Sequence, residues 1–397
     1  MRVLHLALPL VALLAACQMD PTGRSKDENG TDQTTSNATG ASDDYAMMMS
    51  RDPEPGSKAD PTLADDKERP IMQMQVVLDR LGFTPGVVDG REGLSTRNAI
   101  SGFQESRDLE VTGKLDEATK QALHEWSNIP ATRLVTIPAD FAAGPFTKTP
   151  DGAREQARLD RLGYQSLEEK LAERFHTTSE TLRELNPNLS SGDAPHSAAS
   201  ATPEPSGSPS PEASSSNSIY YAGQQIRVPN IGADKIEPGK VDDQSWLATL
   251  QSLGVGSTQP QAAKIVVSKS KETLKVFDEA GKLVGMYTAT MGSSHDPLPL
   301  GDWKITGVAH NPDFAFDPTL LWDVPDSAEK QRLPPGPNGP VGVAWIDLSK
   351  EHYGIHGTPE PQTIGRVQSH GCVRLTNWDV ARLAQMVSTK TQVLFEA

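Results

Sequence analysis

Cysteine is nearly absent. The 397 residues contain two, Cys17 and Cys372, so no disulfide framework stabilises this chain. Aromatic residues make up 5% and apolar residues 36%, so part of the length cannot bury a core. Positive charge is short too. Lys and Arg number 37 against 52 Asp and Glu, a net charge of −15, which excludes the basic face that a nucleic-acid binder requires. Long apolar runs are missing except for Val3 to Ala16, too short to span a bilayer as a mature helix.

That one run follows Arg2 and has the length of a signal-peptide apolar core. It ends Leu14-Ala15-Ala16-Cys17. Small residues before a cysteine resemble a bacterial lipobox, which implies a signal peptide over 1–16 and lipidation of Cys17. Gln18 rather than Asp at the next position resembles an outer-membrane sorting signal. The implied location is the periplasm of a Gram-negative bacterium, lipid-anchored to the outer rather than the inner membrane. Residues 17–69 are rich in Asp, Ser, Thr, Gly and Pro and poor in Leu, Ile, Val and Phe. Such a stretch does not offset its chain entropy and reads as a disordered tether. With Cys17 lipidated, Cys372 is the single free thiol, and an unpaired thiol in an oxidising compartment is a liability. An inert buried cysteine is the alternative to a working one.

The expected architecture is multidomain α+β. Order begins near Pro70, where Ile71, Met74, Leu78 and Leu81 recur at helical spacing. Gly82 ends that helix. Ser95 is expected to cap a second helix and Asp116 a third. Leu81-Gly82-Phe83, Val88-Asp89-Gly90, Ala99 through Gln104 and Leu115-Asp116 make residues 70–125 resemble the peptidoglycan-binding type 1 domain. Residues 126–158 read as a connector. In 159–231, two short helices with Thr178 or Ser179 as a cap, Asn186-Pro187-Asn188 and Gly223-Gln224-Gln225-Ile226-Arg227-Val228-Pro229 resemble a LysM-like module, interrupted by a Ser/Pro-rich insertion at 190–218. Residues 232–262 read as a linker. From Ala263 to Ala397, short runs rich in Val, Ile and Leu, punctuated by Gly, Pro and Asp, indicate a mainly-β domain, sandwich- or barrel-like. One final helix is expected from Trp378 to Val387, capped by Asn377.

Chemistry concentrates late in the chain, in His352-Tyr353-Gly354-Ile355-His356-Gly357-Thr358 and Ser369-His370-Gly371-Cys372-Val373-Arg374-Leu375. A thiol needs a base, and imidazole is the usual one, so Cys372 and His356 are a candidate nucleophile and base. Four of these residues are also possible Zn²⁺ ligands: His352, His356, His370 and Cys372. A strand would hold positions 352 and 356 about 13 Å apart, too far for one ion, so no metal is expected and His352 reads as a surface or packing residue. Gly371 lets the backbone approach a substrate, and the N–H groups of Gly371 and Cys372 are candidate oxyanion donors. Arg374 is suited to a bidentate carboxylate contact, or else to a structural ion pair. His370 and Ser369 are candidate substrate contacts or turn formers.

With Ala344-Trp345-Ile346, Pro299-Leu300-Gly301 and Ile364-Gly365, this motif resembles the L,D-transpeptidase (YkuD-type) catalytic domain over residues 263–396. The resemblance implies a peptidoglycan acyltransferase without a cofactor, in which the Gly357 carbonyl orients His356 and Cys372 carries a thioester. The implied donor is the diaminopimelate–D-alanine bond of a stem peptide. The implied acceptor is an amine on another stem, a D-amino acid or a cell-wall protein. Water as acceptor would make the protein an L,D-carboxypeptidase, and a non-catalytic wall-binding lipoprotein is the third reading. Implied partners are peptidoglycan peptides and glycan, and a membrane through the N-terminal lipid.

Overall fold

The helices start where the sequence supplies a cap or a proline. A computed structural model describes residues 65, 67–189, 218–232, 236–321, 324–325 and 327–397. The leader, Cys17, nearly all of the tether and the Ser/Pro-rich insertion lie outside them. Helix α1 (Pro70–Arg80) has proline at its first position, where the missing N–H costs nothing. Helix α2 (Leu94–Ser106) starts two residues earlier than a Ser95 cap requires, with extended Gly93 at its N-cap. Helix α3 (Glu117–Leu123) is capped by Asp116, whose carboxylate accepts from Thr119 N at 2.9 Å.

The stretch read as a connector contains a strand, β1 (Thr132–Thr136), and two short helices, α4 (Ala139–Ala142) and α5 (Ala153–Gln156). Next come α6 (Leu167–Arg174) and α7 (Ser179–Leu185), capped by Ser166 and Thr178, and then β2 (Gln225–Pro229). Strand β2 pairs antiparallel with β1, Thr132 opposite Pro229 and Thr136 opposite Gln225. Val135, Phe141, Leu171, Phe175, Leu182, Ile226 and Val228 form one core beneath this pair. The connector reading therefore gives way: the two-strand, two-helix unit begins at β1, and α4 adds Phe141 to its core.

The stretch read as a linker is corrected as well. It holds α8 (Gln244–Leu253), whose Trp246, Leu250 and Leu253 are buried in the largest core. That core belongs to a sheet built from β3 (Lys264–Ser268), β4 (Thr273–Phe277), β5 (Leu283–Thr288), β6 (Thr290–Met291), β7 (Gly301–His310), β10 (Ala344–Leu348), β11 (Gly354–His356), β12 (Val373–Arg374) and β13 (Gln392–Glu396). The spatial order is β5-β4-β3-β13-β7-β10-β11-β12-β6. Its two edge strands are separated in the chain by Ala289 alone, so the sheet curls until it is nearly closed. The ten-residue β7 joins the halves, pairing with β13 along its first part and β10 along its last. A hairpin of β8 (Phe314–Phe316) and β9 (Gln331–Leu333) leaves the sheet after β7. Helix α9 (Asn377–Met386) packs in the same core. Its cap is Thr376, which accepts from Asp379 N at 3.1 Å, and not Asn377. Among the described residues no helix is long and apolar enough to cross a membrane.

The described residues belong to one compact unit. The helical module covers the exposed edge of β5: Thr84 N donates to Met286 O at 3.1 Å and Met286 N to Gly82 O at 3.0 Å. Leu283 and Met286 complete the core of Leu78, Phe83, Ile100 and Phe103. An uncovered edge would invite pairing with another chain. A buried charge cluster fastens the three parts. Asp79 of α1 accepts from both Arg382 nitrogens of α9, at 3.3 and 3.2 Å, and meets His176 Nδ1 at 3.2 Å. His176 lies stacked on Trp378, ring centres 4.9 Å apart.

Candidate active site

Strands β11 and β12 run parallel side by side, with His356 in register with Arg374. Cys372 directly precedes β12, so the sheet sets the imidazole and the thiol on neighbouring strands. His356 is buried, 4% exposed. Its Nδ1 lies 2.7 Å from Gly357 O. A carbonyl only accepts, so Nδ1 carries the hydrogen. The ring is stacked on Trp345 of β10, 5.4 Å between centres and 17° between planes. Burial, and then the Arg374 guanidinium, push the imidazole pKa down to about 3. It is neutral at ordinary pH, and the lone pair of Nε2 is free to take a proton.

The Cys372 thiol is a free cysteine that donates to His352 O at 3.6 Å. Burial raises its pKa, while a hydrogen bond from Gly354 N–H and the charge of Arg374 oppose the rise and Asp296 adds to it. Thiol and imidazole are therefore both uncharged at rest. His352 itself stands in a left-handed turn at φ 66°, with an exposed imidazole beside Glu351 at 3.5 Å. Its carbonyl rather than its ring meets the sulfur.

The turn before the thiol is rigidly tied. Ser369 Oγ donates to Cys372 O at 2.7 Å and accepts from Gly292 N at 2.7 Å. That hydroxyl is buried at 1% exposure and engaged on both sides, so Ser369 forms the turn and is not open to a substrate, contrary to the expectation of a substrate contact. Arg374 Nη2 lies 3.5 Å from His370 Nδ1, and both residues are half-buried. Among the described residues no three His, Cys, Asp or Glu side chains gather as a metal cluster.

Two glycines are demanded by geometry. Gly371 has φ +97°, and a Cβ there would lie 2.5 Å from the Tyr353 ring. Gly357 has Asn377 Oδ1 where its Cβ would be. Gly371→Ala combines backbone strain with overpacking. It is expected to lower stability by about 2–4 kcal/mol and to change the rate at which iodoacetamide modifies Cys372. Urea unfolding and mass spectrometry of the alkylated protein check both, and an unaltered alkylation rate would show that the turn does not aim the thiol.

Trp345, Asn377 and the His352 carbonyl were not among the predicted site residues. Trp345 was legible only as part of a motif, and the other two depend on folding at a distance.

The comparisons with known proteins follow this geometry. Residues 262–394 match the YkuD model, an L,D-transpeptidase catalytic domain, and residues 68–123 match a model provisionally described as a peptidoglycan binding domain. YkuD of Bacillus licheniformis, provisionally named an L,D-transpeptidase, is 34% identical over 130 residues, covering 33% of this chain and 63% of that protein. A provisionally named L,D-transpeptidase encoded in the ATP synthase region of Fuscovulum blasticum is 31% identical over 129 residues, covering 32% of this chain and 67% of that protein. The chain thus spans less than two thirds of the B. licheniformis relative. Among solved structures, L,D-transpeptidase 3 from Mycobacterium tuberculosis with a faropenem-derived adduct aligns with TM-score 0.29 and 20% identity, over 34% of this chain and 60% of that one.

Proposed function

This chain belongs to the L,D-transpeptidase family, and from that premise we propose that it is a cell-wall acyltransferase acting on peptidoglycan stem peptides through Cys372. The donor in this reading is a tetrapeptide stem, cut between the L-centre of diaminopimelate and the terminal D-alanine. Cys372 gives its proton to His356 Nε2, and the sulfur bonds to the carbonyl carbon. The N–H groups of Gly371 and Cys372 receive the oxyanion. His356 then passes the proton to the departing D-alanine amine, leaving a thioester. An incoming amine loses its proton to Nε2 and attacks the thioester carbon. Cys372 leaves as thiolate and recovers the proton. Arg374 and His370 contact the donor, with the Arg374 guanidinium facing a stem carboxylate.

The observation that carries this reading is the Nδ1–H to Gly357 O hydrogen bond of 2.7 Å in a buried imidazole. It presets the tautomer with Nε2 as base and needs no acidic third member. The module matching residues 68–123 supports a polymeric wall substrate, because docking on the same polymer raises the local concentration of stems. The unit of β1, α6, α7 and β2 is read as LysM-like and glycan-binding, and Cys17 as a lipid anchor at the outer membrane of a Gram-negative periplasm.

The test is incubation of the chain lacking residues 1–17 with tetrapeptide muropeptides, read by mass spectrometry. Dimers joined through diaminopimelate, or products carrying an added D-amino acid, are expected. Tripeptides alone would assign water as acceptor, and unchanged tetrapeptides would sink the reading.

A further inference from the structure

We propose that Glu173, carried by α6 of the upstream unit, is a positioning residue for His356 and acts through Asn377 and Gly357. It rests on the reading of His356 as the base. The chain of contacts starts at the imidazole. Nδ1 is held by Gly357 O, so the ring is only as fixed as that peptide group. Gly357 N donates to Val341 O at 3.1 Å, and Leu375 N donates to His356 O at 2.9 Å. Behind Gly357 stands Asn377 Oδ1, in the space a Cβ would need. The Asn377 amide is therefore the floor under the group that orients the base.

Asn377 is buried and its orientation is fully determined. Nδ2 donates to Glu173 Oε1 at 2.8 Å and to Pro337 O at 3.1 Å, while Oδ1 accepts from Val343 N at 3.3 Å. The Pro337 carbonyl can only accept and the Val343 N–H can only donate, so the amide has one satisfied orientation. Glu173 takes one of its two hydrogens from 204 positions away in sequence. The Glu173 carboxyl is buried itself and meets the Tyr164 hydroxyl at 3.1 Å. Burial raises its pKa to about 8, opposed by the Asn377 hydrogen bond, so its prevailing form at neutral pH is the uncharged acid, which a glutamine amide mimics.

A second tether reaches the same loop. Leu162 N donates to Pro335 O at 3.0 Å, Asn338 N to Leu162 O at 3.0 Å, and Asn338 Nδ2 to Gly163 O at 2.9 Å. The loop from Pro335 to Val343 supplies the partners of both Asn377 and Gly357, and the upstream unit braces it at two points. Residues 262–394, the extent of the catalytic-domain match, contain none of these braces. The upstream unit completes the back wall of the site as well as any glycan-binding role it has.

The test uses the full chain with Glu173→Leu, which removes the acceptor, and Glu173→Gln, which keeps it. Kinetics on a tetrapeptide muropeptide and long-range ¹H–¹⁵N NMR of the His356 ring are the readouts. Glu173→Leu is expected to lower kcat about 10- to 100-fold with KM within about twofold, the signature of a displaced reacting group. The His356 nitrogens should shift towards a mixture of tautomers. Glu173→Gln is expected to restore both to near the wild-type values. A folded Glu173→Leu protein with wild-type kcat and an unmoved His356 signal would overturn the proposal. Should that variant not fold, Glu173→Asp decides, because it draws the carboxyl back by one methylene: a reduced kcat at unchanged KM supports positioning, and wild-type kcat overturns it. If the wild-type chain leaves muropeptides untouched, the enzymatic reading fails, and the His356 signal in the variants still decides whether Glu173 positions the ring.

Discussion

Cys372→Ala is expected to reduce muropeptide turnover by about ten-thousand-fold or more, with the fold intact. Removing a covalent nucleophile eliminates the acyl-enzyme route and leaves only binding and oxyanion stabilisation, and losses of this order follow in other acyl-transfer enzymes. His356→Ala should approach the same floor, and the double variant should lose little more, because the two residues act as one unit. Retained activity in Cys372→Ala would end the thioester mechanism. The charge states add a second, independent readout. Burial pushes the Cys372 thiol up and holds His356 down to about 3. Burial disfavours the charged form of each group, so the pair rests as thiol and neutral imidazole. The Gly354 N–H and Arg374 favour the thiolate, and burial, joined by Asp296, outweighs them. The rate of Cys372 alkylation by iodoacetamide should therefore keep climbing as pH rises from 6 to 9. A plateau between pH 6 and 8 would mean a preformed thiolate–imidazolium pair and would overturn the neutral resting state. In the proposed reaction the substrate, once bound, has to make proton transfer favourable.

The parts of this site that were legible in sequence are those contiguous in the chain. His356-Gly357 and Ser369 to Arg374 lie at one end of β11 and in the turn leading into β12, two adjacent short strands, so the motif's linear order already carries its spatial order. The orienting carbonyl of Gly357 was readable by resemblance, since a residue's own neighbour needs no fold to reach it. Glu173 was not readable. Its partner lies in another part of the fold, and an acidic residue on a short amphipathic helix looks like a solvated face until that helix is docked. Two segment readings failed although a local signal existed. Trp246, Leu250 and Leu253 recur at helical spacing and announce α8, but the Pro, Gly and Asp around them favoured a linker. Thr132, Val135 and Thr136 announce a strand, yet β1 finds its partner only at Gln225–Pro229, across both helices and the insertion. The cap of α9 is Thr376 rather than Asn377 because Asn377 spends its amide on Glu173, Pro337 and Val343 instead.

The modules that look separable in sequence are joined by the buried cluster of Asp79, His176 and Arg382, and Arg382→Met should show how firmly. Burial alone would raise the Asp79 carboxyl, but Arg382 and His176 hold it well below the ordinary carboxylate range. Removing Arg382 leaves a buried carboxylate with a single partner, and breaking a buried pair in this way costs about 3–5 kcal/mol. The same guanidinium faces Asp379, whose pKa burial raises to about 7 against the pull of Arg382 and with a further push from Asp79. An acid with a folded pKa above its unfolded one binds more protons when folded, so it destabilises increasingly as pH rises from the unfolded value through about 7. Arg382→Met removes the opposing charge, raises that pKa further and steepens the loss. Urea unfolding at pH 6 and pH 8 is therefore expected to show the larger deficit at pH 8. The double variant Asp79→Leu/Arg382→Met should recover part of the stability, since a buried pair replaced by apolar groups is far less costly than a broken one. Limited proteolysis should then find the helical module released from the β5 edge in the single variant and less so in the double. Equal stability of wild type and Arg382→Met would mean that the Asp79–Arg382 pair contributes nothing to the weld, and that the apolar contacts of Met286 and Phe83 hold the module without it.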